Sequence, residues 1–194
     1  MEQNHSGKRI ILASGSPRRR DLLGGLGVEF TVDTGSFFVE SAEPGVDAYQ
    51  VPVDMAEGKS HGFHRPLEDD EVLITADTVV IVGGEVLGKP ADREDAFRML
   101  RALSGRDHDV VTAVVIRSVK KEVSFAVRTA VTFDTLSDAD IAYYVDNFKP
   151  YDKAGAYGIQ EWIGYAGISR IEGSFYNVVG FPVQRVWTEL KAFL

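Results

Sequence analysis

The sequence predicts an α/β protein built on a mixed, partly antiparallel twisted sheet that is flanked by helices. Strand-like and helix-like segments follow one another along the chain without strict alternation, whereas a doubly wound parallel sheet requires such alternation. Three observations carry the prediction. They are a buried strand that leads into a capped helix, a glycine pair suited to a hairpin, and two long β-branched segments around a basic turn.

The first predicted unit is a strand, a polar turn and a helix. The string RIILAS has the apolar, β-branched character of a short buried strand. Ser16 and Pro17 are residue types preferred at a helix N-cap and in the first turn. Three leucines in DLLGGLG give the helix an apolar stripe, and Gly27 is placed to end it.

The next segment is less regular. SFFVESAEPG has no clear period and is predicted to be a loop that carries Glu40 and Glu43. A helix from Pro52 is only weakly supported, because Gly58 and Gly62 interrupt it and each glycine costs about 1 kcal/mol relative to alanine. RPLEDDE then reads as a charged surface connection.

The middle of the chain contains a predicted hairpin and the clearest helix. VLITA is predicted to be a strand that ends at Asp77, and TVVIVGGEVLGK folds back through Gly83 and Gly84. ADREDAFRMLRALSG has helical apolar spacing, with Asp92 as N-cap and Gly105 beyond its end.

The last third begins with two β-branched segments. Residues 110–116 and 123–133 are predicted to pair as antiparallel strands. Ser137 and Asp140 have the spacing of a capping box that opens a helix. A glycine-rich loop, KAGAYGIQ, follows. ISRIEGSFYNVV is predicted to be hairpin-like, and a final helix starts at Pro182.

Composition excludes several function classes. A formal charge of −8 argues against general affinity for nucleic acid or an anionic membrane. The absence of cysteine excludes disulfides, thiolate metal sites and a cysteine nucleophile. No signal-peptide core or membrane span is recognisable. We therefore expect a soluble, cytoplasmic protein whose residues 1–194 form one domain.

The three arginines of LASGSPRRRDLL occupy a position where positive charge is unfavourable. Arg18, Arg19 and Arg20 lie at a predicted helix start, where the positive end of the dipole favours acidic side chains. An anion bound at this turn would explain them, since backbone N–H groups and guanidinium groups both bind phosphate. The alternative is that they are solvated residues of an amphipathic helix.

Asp77 is the second candidate for chemistry. A carboxylate at the end of an apolar strand is well placed to hold Mg²⁺ with another carboxylate such as Glu40, but aspartate also caps turns. GGEVLGKP resembles part of a Walker A loop. Pro90 follows Lys89 where a hydroxyl is needed, and the context is a hairpin, so Lys89 is expected to act only as an auxiliary cation.

The histidines and the glycine-rich loop leave alternatives open. His61 and His64 have i, i+3 spacing but lack further metal ligands nearby, so a surface position is favoured. His108 could donate to a phosphate or stabilise a turn, and the structural role is favoured. The loop before Gln160 could hold a nucleobase edge, or its glycines could serve only for turning.

The order and spacing of six segments resemble the Maf family of nucleoside triphosphate pyrophosphatases, over roughly residues 10–190. They are LASGSPRRRDLL, ADTVV, GKP, SGRDHDVVTAV, DKAGAYGIQ and GSFYNVVGFPV. The resemblance implies two lobes around a central cleft, often in a homodimer. It also implies metal-dependent cleavage of the α–β phosphoanhydride of a nucleoside triphosphate, which gives a monophosphate and pyrophosphate. ADTVV and AGAYGIQ resemble the branch that acts on dTTP, UTP and modified pyrimidine nucleotides.

The resemblance also implies roles for individual residues. Triphosphate binding falls on Ser14, Arg18, Arg19, Lys59 and Lys89. Glu40 and Asp77 would organise the divalent metal, Mg²⁺ or Mn²⁺, and the attacking water, with Asp77 as general base. Gln160 would lie near the reacting end of the site. The chain departs from the family in having Val39 where an acidic residue often precedes the position of Glu40.

Two other readings make different predictions. A non-catalytic nucleotide-binding regulator of cell division would bind UTP without metal-stimulated turnover. A P-loop kinase or ATPase would produce ADP from ATP and would lose all binding in Lys89→Ala. The acidic residue at Asp77 argues against a pure binder, because binding alone does not require a water-activating carboxylate.

Overall fold

The structure is a computed structural model that describes residues 7–41 and 45–194, so the predicted position of Glu43 lies outside the described residues. The strands are β1 (Arg9–Leu12), β2 (Phe30–Val32), β3 (Glu71–Val82), β4 (Glu85–Leu87), β5 (Asp107–Arg117), β6 (Glu122–Phe133) and β7 (Ile168–Glu172). The helices are α1 (Pro17–Gly24), α2 (Val51–His61), α3 (Arg93–Leu103), α4 (Asp138–Phe148), α5 (Trp162–Gly167), α6 (Phe175–Val179) and α7 (Val183–Leu190).

The strands form one mixed sheet, which confirms the predicted fold class. The strand order is β2-β1-β3-β5-β6-β7, and β4 pairs with β3. β1 is parallel to both β2 and β3, whereas the β3–β4 and β6–β7 pairs are antiparallel. None of the helices formed by the described residues combines the length and apolar character that crossing a membrane requires.

The chain divides into two compact units. The first comprises Met1–Asp77, Thr112–Val127 and Gly180–Leu194, and the second comprises Thr78–Val111 and Arg128–Val179. β3, β5 and β6 each contribute residues to both units. Each unit has its own buried apolar cluster.

The first unit begins as the sequence predicts. β1 pairs with β3 from Arg9 opposite Glu71, and Ile10 and Leu12 are buried in the core of this unit. The side chain of Ser16 caps α1, which starts at Pro17. The helix ends at Gly24 rather than at the predicted Gly27, which instead follows in a turn with a φ of +72°.

The structure explains the glycines that weakened the prediction of α2. A Cβ atom on Gly58 would lie 2.3 Å from the ring of Phe38, and one on Gly62 would lie 2.7 Å from the Cβ of Phe38. Phe38 belongs to the loop that carries Glu40. The two glycines therefore let this loop pack closely on α2, and that contact offsets their poor helix propensity.

Two features of β3 correct the sequence prediction. The strand continues through Asp77 to Val82, so Asp77 lies within β3 and does not close a strand. The β-branched run after Asp77 extends the same strand, because it pairs with β4. Glu71, predicted to lie in a surface connection, is a buried first residue of β3 that accepts two hydrogen bonds from Arg65.

The second unit keeps its predicted helices but not its predicted C-terminal hairpin. Asp92 caps α3, and Ser137 and Asp140 form the capping box of α4. ISRIEGSFYNVV forms β7 and then α6 instead of two paired strands. Within α6, the amide of the buried Asn177 donates to Val110 O and Thr129 Oγ1, both at 3.0 Å, and these long-range bonds favour the helix.

Candidate active site in the first unit

The turn between β1 and α1 is tied to two distant segments by Arg19. Its Nε donates to the carbonyl oxygen of Gly180 at 2.9 Å, and its Nη1 donates to Ala76 O at 2.8 Å and to Ser14 Oγ at 3.2 Å. The guanidinium group therefore links the first turn, the middle of β3 and the residues before α7. The local sequence does not predict these contacts of Arg19, because the carbonyl groups of Ala76 and Gly180 are far from it along the chain.

Several charges surround this guanidinium group. Burial lowers the pKa of Arg19, and the positive charge of Arg18 lowers it further, whereas the carboxylates of Asp77 and Glu40 act to raise it. Arg18, Asp77 and Glu40 are therefore within electrostatic range of Arg19. Arg20 is exposed on α1, as expected for a solvated helix residue.

Lys59 connects the two candidate carboxylates. It projects from α2, and its Nζ lies 2.6 Å from Asp77 Oδ1 and 3.1 Å from Glu40 Oε1. Lys59 and Asp77 are 19% and 17% exposed, whereas Glu40 is 61% exposed. The ammonium group is thus held between one partly buried and one accessible carboxylate.

The donor set of this cluster fits a hard divalent cation. Carboxylate oxygens are the protein ligands that Mg²⁺ prefers, and Mg²⁺ commonly takes only one or two of them together with substrate phosphates and water. Glu40 and Asp77 already hold a cationic group, Lys59 Nζ, between them. No cluster of three or more His, Cys, Asp or Glu residues suited to a metal occurs in residues 7–41 and 45–194.

The other two predicted site residues, Lys89 and Gln160, belong to the second unit. Lys89 is exposed in the loop between β4 and α3, next to Gly88, whose carbonyl accepts a 3.0 Å bond from Gly155 N–H. The segment GGEVLGK forms the hairpin turn and strand β4, whereas a P-loop connects a strand to a helix. The structure therefore excludes a Walker A loop at this position. The side chain of Gln160 is exposed.

The three histidines that the structure describes, His61, His64 and His108, do not form a metal site with each other. His61 lies 2.9 Å from Glu122, and His64 lies 2.9 Å from Asp33. His108 is buried, and its Nε2 is 2.7 Å from Tyr157 Oη. Burial lowers the pKa of His108 to about 4, so its imidazole is neutral near pH 7, and it lies within β5 and not in the turn that the sequence predicts for it.

Comparison with known proteins gives a consistent match along the chain. The family model described as Maf-like protein matches residues 9–193. A relative from Parabacteroides distasonis is 50% identical over 193 residues and covers 100% of both chains. One from Porphyromonas gingivalis is 50% identical, over 95% of this chain and 94% of its own. A third relative, from Bacteroides thetaiotaomicron, is 47% identical over 94% of this chain and 95% of its own. All three are named dTTP/UTP pyrophosphatase.

Proposed function

Because this chain belongs to the Maf family, we propose that it hydrolyses dTTP, UTP and related modified pyrimidine nucleoside triphosphates to the monophosphate and pyrophosphate. Water would attack the α-phosphorus, the α–β phosphoanhydride would break, and pyrophosphate would leave. The observation that carries the proposal is the juxtaposition, in the first unit, of Arg18 and Arg19 with the Asp77–Lys59–Glu40 cluster.

Triphosphate binding is supported by the cations of this unit. A nucleoside triphosphate carries about four negative charges, so positioning and charge neutralisation supply most of the catalysis in such reactions. Arg18, Arg19 and Lys59 are the cations, and Ser14 adds a hydroxyl that already contacts Arg19. Arg19 is fixed by two carbonyl oxygens before any substrate arrives, so it would lose little side-chain entropy on binding phosphate.

Water activation is assigned to Asp77. Lys59 Nζ donates a hydrogen bond to Oδ1 of this carboxylate, and Oδ2 is the oxygen that we assign to accept a proton from the attacking water. Glu40 and Asp77 would hold a divalent metal, Mg²⁺ or Mn²⁺, which neutralises phosphate charge and lowers the pKa of water. Lys59 restrains Asp77 from α2 and so keeps its carboxylate in one orientation.

The remaining parts of the proposal follow from family membership. Lys89 would act as an auxiliary cation, and Gln160 would lie near the reacting group. The two units would serve as one functional domain, in a homodimer that acts in cytoplasmic nucleotide housekeeping. Neither nucleic acid nor a membrane is a proposed partner, in keeping with the net charge of −8.

A panel of canonical and modified triphosphates, scored for pyrophosphate release with Mg²⁺ or Mn²⁺, tests this function. We expect release from dTTP and UTP, and we expect Asp77→Asn to lower kcat by roughly 100-fold or more, since a general base contributes about 10²–10⁴-fold. Asp21→Asn, at an exposed position of α1, is the matched control. Release of phosphate and a diphosphate would refute the mechanism, and nucleotide binding without turnover would favour the non-catalytic regulator.

A further inference from the structure

The backbone around Gln160 takes part in several hydrogen bonds although its side chain is exposed. Tyr165 Oη donates to the carbonyl oxygen of Gln160 at 3.2 Å. The N–H of Glu161 donates to Gly158 O at 3.0 Å, and the N–H of Gly164 donates to Glu161 O at 2.9 Å. Hydrogen bonds therefore fix the main chain on both sides of Gln160.

Two glycines allow this close packing. A Cβ atom on Gly164 would lie 1.7 Å from the carbonyl oxygen of Ile159, so no side chain fits there. A Cβ atom on Gly158 would lie 2.9 Å from Glu161 Cδ and 3.0 Å from Lys153 Cε. Gly158 thus allows close packing against the carboxylate of Glu161, and Gly164 allows close packing against the backbone of Ile159.

That carboxylate, of Glu161, is bonded through both oxygens. Lys153 Nζ lies 3.1 Å from Oε1, and Tyr144 Oη donates to Oε2. Tyr144 Oη in turn accepts a 3.0 Å hydrogen bond from Gly158 N–H. Burial and the neighbouring carboxylate raise the pKa of Tyr144, so its hydroxyl keeps its proton and remains a donor. We call Tyr144, Lys153, Gly158 and Glu161 the Glu161 lock.

Restraining the backbone of an exposed glutamine is useful if that residue must be ordered before substrate binds. Exposed loop residues are ordinarily mobile, and ordering them during binding or reaction costs free energy. Displacing a reacting group by about 1 Å can cost roughly 100-fold in rate. The Glu161 lock ties the Gln160 segment to a buried tyrosine of α4, which removes that freedom in advance.

We propose that Glu161, held by Tyr144 and Lys153, is a positioning residue that fixes the backbone of Gln160, from which its side-chain amide would reach the substrate. The inference rests on the proposed function in that it requires Gln160 to act on the reacting nucleotide. Glu161 itself does not touch substrate in this scheme, and it acts only through Gln160.

A double-mutant cycle with steady-state kinetics tests the proposal. Glu161→Gln keeps the side-chain volume and an acceptor for Tyr144 but loses the ion pair with Lys153. We expect kcat to fall roughly 10-fold while KM stays within about twofold, as for a group misplaced in the transition state. Gln160→Ala is expected to lower kcat by roughly 100-fold, and in that background Glu161→Gln should cause no further loss.

The control is Tyr143→Phe, which removes the hydroxyl of the exposed neighbour of Tyr144 on α4. It should leave kcat, KM and the melting temperature unchanged. An equal kcat loss from Glu161→Gln with and without Gln160 would overturn the proposal, because Glu161 would then act independently. An unaltered kcat in Gln160→Ala would overturn it too, although pyrophosphate release by the wild type would still support the proposed function.

Amide hydrogen exchange gives a readout that requires no substrate. The N–H groups of residues 158–164 should exchange at least several-fold faster in Glu161→Gln than in the wild type, while those of β1 should not change. Equal exchange in the two proteins would show that the lock does not hold the segment and would overturn the proposal. Faster exchange in a protein that releases no pyrophosphate would mean that the proposed function has failed but the lock exists.

Discussion

Replacing Arg19 with lysine tests how the first turn of the candidate active site is held. Arginine makes three hydrogen bonds here, from two nitrogens of its planar guanidinium group, to Gly180 O, Ala76 O and Ser14 Oγ. Lysine keeps the positive charge, but its single ammonium group cannot donate to all three acceptors at once as the planar guanidinium group does. At least one of the two carbonyl oxygens should lose its hydrogen bond to residue 19.

The size of the effect follows from those bonds. A hydrogen bond to a charged group contributes about 1.5–3 kcal/mol, and an unsatisfied buried acceptor costs about 1–3 kcal/mol. With lysine recovering part of the loss, we expect Arg19→Lys to lower the free energy of unfolding by about 2–3 kcal/mol. In a chain of 194 residues, where 1 kcal/mol shifts Tm by about 2–4 °C, that is a fall of about 4–12 °C.

Calorimetry or thermal circular dichroism measures this shift, with pyrophosphate release from dTTP measured in parallel. Arg20→Lys is the matched control because Arg20 is exposed on the same helix, and its Tm should stay within about 1 °C of the wild type. A wild-type Tm in Arg19→Lys would refute the reasoning, since it would mean that the three hydrogen bonds contribute nothing that lysine cannot replace.

Two further substitutions probe packing and acid stability. Gly58→Ala should lower the free energy of unfolding by up to about 2 kcal/mol, because the clash with Phe38 costs about 1–3 kcal/mol while the higher helix propensity of alanine returns about 1 kcal/mol. Gly88→Ala, at a position with open space around it, should be nearly neutral in denaturant titrations. The hydrogen bonds from Arg65 lower the pKa of Glu71 below its ordinary 4.5, so this carboxylate stabilises the fold above that pH and the stabilisation is lost as the pH falls further. Urea unfolding from pH 6 to 3 should therefore show a flatter pH dependence in Glu71→Gln, and an unaltered slope would contradict the assignment.

The helices most accurately predicted are those that local rules determine. α3 and α4 have side-chain caps at Asp92 and Ser137, apolar residues at helical spacing, and a buried face at the expected positions. The hairpin after β3 is equally local, because Gly83 and Gly84 adopt the positive φ values of +60° and +84° that such turns require. Each of these signals lies within a few residues of the structure it determines.

Errors occurred where distant residues determine local structure. β3 continues through Asp77 because its second half pairs with β4, and a polar residue within an apolar run does not reveal that pairing. The short strand β2 is ordered by parallel pairing with β1, and its three residues have no pattern of their own. α6 depends on hydrogen bonds from Asn177 to β5 and β6. In each case the determining contact is far away in the sequence.

The candidate site also shows what net charge can and cannot exclude. The chain carries −8 overall, which disfavours extended polyanions, yet salt limits the range of a surface charge to about 8–10 Å. Within that range a small anion experiences the local balance. Around Arg19 three cations, Arg18, Arg19 and Lys59, stand against the carboxylates of Glu40 and Asp77. Among these five groups the balance is positive, and a divalent metal on the two carboxylates would increase it, so the net charge of −8 does not exclude a small polyanion from this site.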